Sequence, residues 1–274
     1  MMRLQVRHLR LPLPGHPARR LEIDALDLPQ GQWVALVGAN GSGKSTFLKS
    51  IATTAGLSMS DDHADGRSPP AEILLDGKPL AQWRRRERAR RLAWLPQTVD
   101  HMDSGLSVEQ TVMLGRLPWL GLTQTPGERD RAAVVDALAR VDALALRDRQ
   151  ITHLSGGELQ RVLIARVLAA QAGVYLLDEP FDALDAAHQQ ALLATLGALS
   201  DQGTSTLVVV HDLNIALQAD AIVVLLNGRA TAVRSPQEPD LHIDLERAFG
   251  GAIEILKHPA GAGWIALPRR VRQR

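Results

Sequence analysis

Short apolar runs alternate with amphipathic segments along most of the chain. Four runs, rich in Val, Ile and Leu and bounded by Gly, Asp, His or Asn, stand at 33–37, 174–177, 207–210 and 221–226. Runs of this kind are typical of strands that are buried on both faces of a parallel sheet. Helical patterns follow at about 45–52, 186–201 and 213–219. This β–α alternation predicts an α/β fold with helices on both faces of a mostly parallel sheet.

The remaining segments predict shorter elements. Alternating patterns indicate strands at 4–13 and 21–28, and further strands are predicted at 73–75 and 92–95. Residues 107–150 have helical periodicity, which Pro118 and Pro126 interrupt. A helix at 83–91 carries six arginines, and we favour a solvated face over a contact with acidic groups. The polar, acidic stretch at 55–70 predicts a surface loop.

Composition excludes several classes of protein. The 274 residues include 31 basic and 30 acidic side chains, and the net charge of +1 gives no electrostatic case for a nucleic-acid partner. Arginine outnumbers lysine by 27 to 4, which we interpret as codon bias because acidic residues balance it. The absence of cysteine excludes disulfides, thiolate zinc sites, iron–sulfur clusters and a cysteine nucleophile. No apolar stretch approaches the roughly 20 residues of a membrane span, and the N-terminus lacks a signal-peptide pattern, so we expect a cytoplasmic location.

A glycine-rich segment after the 33–37 run predicts a phosphate-binding loop. It reads GANGSGKST and fits the pattern G-x-x-x-x-G-K-[ST]. Glycines let successive backbone N–H groups point at phosphate oxygens, and the following helix adds its N-terminal dipole. Lys44 is expected to reach the β- and γ-phosphates, and the Ser45 hydroxyl is expected to ligate Mg²⁺. The residues predicted to bind the nucleotide are Gly38, Asn40, Gly41, Ser42, Gly43, Lys44, Ser45 and Thr46.

Two carboxylates follow the apolar run at 174–177. Asp178 stands at the carboxyl end of a predicted strand, where open α/β sheets bind their ligands, and we expect it to hold Mg²⁺. Glu179 is placed to polarise a water molecule for attack on the γ-phosphate. An isolated Asp-Glu pair is more often a solvated strand end, but the phosphate loop favours the catalytic interpretation.

Residues 154–161 read LSGGELQR, and with the motifs above they make the chain resemble the ATP-binding-cassette (ABC) ATPases. The resemblance covers residues 38–212. It implies a P-loop NTPase of the RecA-like type, in which a mostly parallel core carries an N-terminal antiparallel β subdomain and an inserted α-helical signature subdomain. It also implies one ABC ATPase domain over residues 1–274, with its core at about 1–97 and 158–240, a helical subdomain at about 98–157 and a tail at about 241–274.

The resemblance assigns roles to two further residues outside the phosphate loop. Gln97 follows a predicted strand and resembles the Q-loop glutamine of the family, and His211 resembles its switch histidine. Both would act with Glu179 as catalytic residues. Gln97 would also join Ser45 and Asp178 around the Mg²⁺ that accompanies ATP.

The signature segment implies a dimer. In the family, residues equivalent to Ser155, Gly156 and Gly157 bind the γ-phosphate of a nucleotide held by a second subunit. One phosphate loop and one signature per chain therefore imply a homodimer, and Asp185, in a segment that resembles the D-loop, would couple the two subunits. The family often stacks adenine on an aromatic residue before the turn at Gly31, where this chain has PGH at 14–16. Adenine stacking would be weak or supplied by His16.

Two further segments indicate an importer. Residues 111–121 (TVMLGRLPWLG) resemble importers of iron–siderophore, haem and cobalamin complexes, and residues 256–263 (LKHPAGAG) resemble the ferric-hydroxamate siderophore importer ATPase. We therefore expect the ATPase subunit of an iron–siderophore importer. Haem or cobalamin import is the alternative, and a chromosome-type or DNA-repair ABC ATPase or a P-loop kinase is less favoured.

An importer subunit of this type would work with membrane partners. We expect an integral-membrane permease, and through it a periplasmic or lipoprotein substrate-binding protein, with the ATPase on the cytoplasmic face of the inner or plasma membrane. Gln97, Arg116 and Trp119 are predicted to lie at or near the permease contact. The alternative for Trp119 is a packed indole at a helix break. The arginine-rich end at 268–274 is predicted to be a solvated terminus rather than a lipid contact.

Overall fold

The computed structural model describes residues 2–13, 16–53, 70–98, 105–120, 124–259, 261 and 263–269. The strands are β1 (Met2–Leu13), β2 (His16–Pro29), β3 (Trp33–Val37), β4 (Glu72–Leu75), β5 (Lys78–Pro79), β6 (Leu92–Leu95), β7 (Val174–Asp178), β8 (Ser205–Val209), β9 (Ala221–Leu226), β10 (Arg229–Ala230), β11 (Ile253–Lys257) and β12 (Trp264–Pro268). The α-helices are α1 (Lys44–Thr53), α2 (Arg85–Ala89), α3 (Val108–Met113), α4 (Glu128–Arg140), α5 (Gly156–Leu168), α6 (Ala186–Asp201), α7 (Leu213–Ala216) and α8 (Pro239–Ala248). The predicted loop at 55–70, apart from residue 70, and residues 270–274 of the arginine-rich end lie outside the described residues.

Ten strands of the described residues form one sheet in the order β5-β4-β1-β2-β10-β9-β3-β8-β7-β6. Strands β9, β3, β8, β7 and β6 are mutually parallel, whereas β2, β1, β4 and β5 pair antiparallel. The short β10 joins the two halves, because it pairs antiparallel with β9 and parallel with β2. The predicted mostly parallel core with N-terminal antiparallel strands is confirmed. The subdomain boundaries near residues 97 and 157 stay a prediction.

Alternate residues of the central strands face two different hydrophobic cores. In β3, Trp33, Ala35 and Val37 join one cluster with helices α3 to α8, whereas Val34 and Leu36 join a second cluster with α1 and the antiparallel strands. All five residues of β3 are buried. This burial on both faces explains why the central strands are continuous apolar runs. The packing also fixes the carboxyl ends of β3, β7 and β8 side by side at one edge of the sheet.

Two predicted helices are shorter in the structure. The basic helix expected at 83–91 is confined to α2, because a 3₁₀ turn at Leu80–Gln82 precedes it and its N-cap residue, Arg84, is extended. The helix expected at 213–219 ends at Ala216. The region 107–150 contains α3 and α4 with 3₁₀ turns at Leu114–Arg116 and Leu144–Leu146, and Pro118 follows the first of these turns.

The C-terminal region contains elements that the sequence patterns did not predict. Helix α8 begins at Pro239, a favoured residue for the first helical turn, and buries Leu241 and Leu245. Strands β11 and β12 form an antiparallel hairpin whose paired residues Ile255 and Ala266 are buried in the same core as α7. The region called a tail is therefore a packed part of the fold as far as residue 268.

Among the described residues, no helix combines the length and the apolar character that crossing a membrane requires.

Candidate active site

The phosphate loop joins the end of β3 to the start of α1. Gly38, Gly41 and Gly43 have φ angles of +157°, +75° and +103°, which side-chain-bearing residues rarely adopt. A Cβ atom on Gly38 would also lie 2.5 Å from the carbonyl oxygen of Leu225, so that position accepts only glycine. These conformations curl the loop over the helix N-terminus, as an anion-binding loop requires.

Lys44 is the first residue of α1, and its side chain is buried beneath the loop. The Lys44 Nζ donates hydrogen bonds to the carbonyl oxygens of Gly38 (2.9 Å) and Ala39 (3.3 Å). Burial lowers the pKa of Lys44, although the nearby carboxylates of Glu179 and Asp178 act in the opposite direction. The ammonium group is thus held by neutral carbonyls at the loop and is available to an anion.

Ser45 and Asp178 form a second polar pair at the same edge. The Ser45 hydroxyl donates a 3.1 Å hydrogen bond to Asp178 Oδ1. Burial is the largest effect on Asp178 and raises its pKa to about 6, even though the hydrogen bond from Ser45 and the charge of Lys44 lower it. The Asp178 carboxylate is thus buried without enough nearby positive charge to compensate it, and a hydroxyl lies beside it. This pair fits a Mg²⁺ ion, which binds through one or two carboxylates, waters and substrate phosphates.

Glu179 is held on both of its carboxylate oxygens. Gln97 Nε2 donates to Oε2 at 2.6 Å, and His211 Nε2 lies 2.5 Å from Oε1. The residue has a φ of +54°, which directs its side chain away from the line of β7 and toward the loop after β6 and the loop after β8. The glutamate is buried, whereas His211 is partly exposed. The structure therefore brings together the three residues that the sequence motifs predicted to be catalytic.

A cavity of about 750 Å³ lies over these groups. Its lining contains Gln97, Glu179 and His211, together with the loop and helix residues Asn40, Gly41, Gly43, Lys44, Ser45 and Thr46. Asp182 also lines it, and no motif predicted this residue. Burial, followed by the negative charge of Glu179, raises the pKa of Asp182. The sequence signal that could have identified Asp182 is its position three residues after Glu179, in the turn that follows β7.

Gly38, Ser42 and Asp178 are not among the residues that line this cavity, although all three were predicted to bind nucleotide or metal. Gly38 and Asp178 instead support the lining residues Lys44 and Ser45 through the hydrogen bonds given above. The buried Ser42 hydroxyl has no hydrogen-bond partner among the described residues. A second cavity of about 430 Å³, which Ser42 lines, shares Asn40 and Gly41 with the first and contains no aromatic residue in its described lining. The side chain of His16 lies outside the described residues.

The signature segment lies at the start of α5, away from the cavity of the same chain. Ser155 is the N-cap, and the Ser155 N–H and hydroxyl donate to Glu158 Oε2 at 2.8 Å each, while the Glu158 N–H donates to Ser155 Oγ. This capping box defines the helix start. A Cβ atom on Gly157 would lie 2.8 Å from the Ala183 carbonyl oxygen, so the signature packs directly on the turn before Asp185. None of Ser155, Gly156 and Gly157 is among the cavity's described lining residues.

Asp185 is the N-cap of α6. Its Oδ1 accepts the His188 N–H at 2.9 Å and lies 2.7 Å from His188 Nδ1. The hydrogen bond from the His188 N–H is the largest of several effects that lower the pKa of Asp185. This carboxylate is therefore anionic at neutral pH, and it stands on the surface at the same end of the molecule as the signature.

The predicted position of Gln97, Arg116 and Trp119 at or near a permease contact stays a prediction, and the structure shows how two of these side chains are held. Arg116 is buried, not exposed: its Nε donates to Asp130 Oδ1 at 3.0 Å, and its Nη1 donates to the Ala169 carbonyl and to Gln171 Oε1. The guanidinium ties α4 to the end of α5, and this internal ion pair explains the burial. Trp119 is half-exposed while its Nε1 donates to the Ala170 carbonyl at 2.7 Å, as expected for a packed indole at a helix break.

The arginines of the basic segment have different environments. Arg86 Nε donates to the Pro118 carbonyl at 2.8 Å, and Arg90 Nε donates to the same oxygen at 2.7 Å. The Arg90 guanidinium lies 4.8 Å from the centre of the Trp119 ring. These two arginines therefore bind the backbone of the 118–120 turn. Arg84 and Arg85 are exposed, as expected for a solvated face, and Arg91 forms a 2.8 Å ion pair with Asp76.

Together, the fold and the phosphate loop define a P-loop NTPase. A family model described as ABC transporter matches residues 21–182, which is more than half of the chain. The chain belongs to the ABC transporter family and is an ATPase of that family.

Individual relatives agree with this assignment. Hemin import ATP-binding protein HmuV of Rhodococcus jostii is 38% identical over 258 residues, which cover 93% of this chain and 82% of the relative. Zinc transport system ATP-binding protein TroB of Treponema pallidum is 36% identical, over 85% of this chain and 82% of the relative. A solved metal-chelate type ABC transporter in an inward-facing conformation has the same fold, with a TM-score of 0.75, 23% identity and coverage of 98% of both chains.

Proposed function

We propose that the chain is the ATP-hydrolysing subunit of an importer of iron chelates, and that Glu179 is its catalytic base. The observation that carries the catalytic part is the carboxylate of Glu179, fixed between Gln97 and His211 over the phosphate loop. Glu179 accepts a proton from water as that water attacks the γ-phosphorus. The bond between the γ-phosphorus and the bridging oxygen breaks, and ADP and phosphate leave.

The remaining residues of the cavity bind and orient the triphosphate. Backbone N–H groups of the loop from Gly38 to Thr46 surround the phosphate oxygens, and Lys44 compensates charge on the β- and γ-phosphates. Ser45, Gln97 and Asp178 are the residues that would hold Mg²⁺, whose chemistry is to neutralise the charge that develops on the transferred phosphoryl group. The raised pKa of Asp178 supports this role, because a cation there would stabilise the buried carboxylate.

The functional unit that we propose is a homodimer. The signature residues Ser155, Gly156 and Gly157 start a helix, present backbone N–H groups, and lie outside the cavity of their own chain. In the proposed dimer they bind the γ-phosphate of ATP held by the partner subunit, and Asp185 couples the two sites. Gly157 of the signature packs against the carbonyl of Ala183, two residues before Asp185. This contact supports the arrangement, because the signature and the D-loop lie side by side.

Transport requires a membrane partner, and we place the ATPase peripherally on the cytoplasmic face of the membrane, beneath a permease. Gln97 and the half-exposed Trp119 are the proposed contact residues. A periplasmic or lipoprotein substrate-binding protein would deliver cargo to the permease, and nucleic acid is not a partner in this proposal.

Haem is the proposed cargo, because the HmuV relative that covers most of this chain is named for hemin import. An iron–siderophore complex is the second candidate, since residues 111–121 and 256–263 resemble segments of siderophore importers. Growth of a strain that lacks this gene, on haem or on a ferric hydroxamate as sole iron source, separates the two. We expect a growth defect on haem that the parent gene restores and the Glu179→Gln variant does not. A defect confined to the hydroxamate would reverse the choice, and no defect on either would reject iron-chelate import.

A further inference from the structure

The C-terminal hairpin makes direct hydrogen bonds to the segment that carries His211. Asn214 Oδ1 accepts the backbone N–H of Ala266 at 2.9 Å, and Asn214 Nδ2 donates to the Ala266 carbonyl at 3.4 Å. One side-chain amide thus satisfies both backbone groups of a single residue in β12, in the manner of a neighbouring strand. We infer that Asn214 is a positioning residue for His211 and that the hairpin is the support through which it acts. This inference rests on the proposed catalytic role of His211.

The segment around His211 is held by packing of the following helix on the core and by a few polar contacts. His211 lies between β8 and α7, and its side chain is 40% exposed. Helix α7 starts two residues later and contains only four residues, which is too short to be stable in isolation. Asp212 caps it by accepting the Asn214 N–H at 2.8 Å. The side chain of Asn214 then fastens this single turn to a second element.

The hairpin is itself anchored on a different part of the fold. Trp264 packs against His242 of α8 with ring centres 4.2 Å apart, and its Nε1 donates to Gln237 Oε1 at 2.9 Å. Arg269, just beyond β12, forms a 3.0 Å ion pair with Glu246 of α8. Helix α8 packs on β9, the strand beside β3 in the sheet. The connection from β8 to α7 is therefore braced by the sheet on one side and by the α8–hairpin unit on the other.

The pairing within the hairpin leaves the Ala266 backbone free for this purpose. The Arg269 N–H donates to the Ala252 carbonyl, and the His258 N–H donates to the Gly263 carbonyl, at the two ends of the ladder. Hydrogen-bonded and non-hydrogen-bonded pairs alternate between antiparallel strands, so the Ile255–Ala266 pair is a non-hydrogen-bonded one. The N–H and C=O of Ala266 point out of the hairpin, where the Asn214 side chain accepts from the first and donates to the second.

A small displacement of His211 would alter its 2.5 Å contact with Glu179. Misplacement of a catalytic group by about 1 Å can cost on the order of 100-fold in rate. Supporting hydrogen bonds of this kind hold functional side chains in their productive geometry. Loss of the Asn214 amide is thus expected to lower the rate of hydrolysis while leaving ATP binding at the phosphate loop intact.

The test measures kcat and KM for ATP, and single-turnover rates, in Asn214→Ala, His211→Ala and the double variant. We expect Asn214→Ala to lower kcat about three- to ten-fold with unchanged KM. In the His211→Ala background the same substitution should have no further effect, because the effects of coupled residues are not additive. Gln218→Ala is the matched control: its side chain bonds the Asn214 carbonyl but not the hairpin, and it should keep the parent kcat.

Ala266→Pro tests the same contact from the other side. It removes the N–H that Asn214 accepts without removing a ladder hydrogen bond, so it should reproduce the loss in kcat. Parent kcat in either Asn214→Ala or Ala266→Pro, or an equal fold-loss from Asn214→Ala with and without His211, overturns the inference. Parent kcat in His211→Ala would instead reject the catalytic role of His211 in the proposed function.

Discussion

The Ser45 hydroxyl donates a 3.1 Å hydrogen bond to Asp178 Oδ1, and this contact joins the start of the phosphate-loop helix to the end of β7. It connects the two motifs that the sequence places more than a hundred residues apart. This hydrogen bond and the nearby Lys44 do not fully compensate the buried carboxylate. Burial outweighs both and raises the pKa of Asp178 to about 6.

Replacement of Asp178 by Asn should stabilise the nucleotide-free protein at neutral pH. The folded pKa of about 6 exceeds the ordinary value of 3.8, so the carboxyl group favours the folded state below pH 3.8, and this contribution is lost as the pH rises through 6. The quantity of interest is the free energy of unfolding of Asp178→Asn minus that of the parent. We expect this difference to increase by about 1–2 kcal/mol between pH 4 and pH 7.5, after allowance for solvent screening.

Urea denaturation of both proteins at several pH values measures this difference. The same variant should bind MgATP more weakly than the parent, since the carboxylate that would hold the cation is gone. A pH-independent difference in stability between the two proteins would contradict the assigned origin of the raised pKa.

Replacement of Ser155 by Arg should prevent dimer closure without affecting ATP binding by the monomer. Ser155 is exposed at the start of α5 and does not line the cavity of its own chain, so in the proposed dimer a bulky cation there would face the partner's nucleotide site. The comparison is made in the Glu179→Gln background, where ATP is expected to trap the dimer, by light scattering with and without MgATP.

Ser155→Thr is the control for this experiment, because threonine retains the hydroxyl of the capping box. It should dimerise with ATP as well as the parent background does. Dimerisation of the arginine variant to the same extent would refute the placement of the signature opposite the partner's phosphate loop.

Replacement of Arg116 by Met should destabilise the fold while leaving ATP affinity unchanged. The guanidinium is buried against Asp130, and removal of one partner of a buried ion pair typically costs about 3–5 kcal/mol, because the other charge is left uncompensated. Arg140→Met provides the comparison, since its ion pair with Asp136 is more exposed and is expected to contribute less than about 1 kcal/mol. Equal free energies of unfolding for the two variants would show that the Arg116 pair has no special role.

The parts of the site that come from local motifs were predictable from the sequence. The phosphate loop needs particular residues at a fixed spacing, and the ends of β7 and β8 are marked by the change from apolar residues to Asp178 and His211. Gln97 could be placed beside Glu179 only through the resemblance to a family. Its 2.6 Å hydrogen bond depends on the parallel pairing of β6 with β7.

Features that depend on distant contacts were not predictable in this way. Arg116 follows an apolar helical stretch and precedes Pro118 and Trp119, a pattern typical of an exposed turn. Its burial is caused by Asp130 and by the carbonyl of Ala169, which belong to other helices. The C-terminal hairpin was missed for a similar reason, since its strands have no clear alternation and are stabilised by α8 and by Asn214.

Glu179, held by Gln97 and His211, is the proposed base in ATP hydrolysis. The most direct test is the single-turnover rate of the Glu179→Gln variant at saturating MgATP, measured beside its ATP dissociation constant. General-base catalysis typically contributes about 10²- to 10⁴-fold, so we expect a loss of at least about 100-fold in the rate with an unchanged dissociation constant. Hydrolysis by this variant at the parent rate would contradict a role of Glu179 as the base.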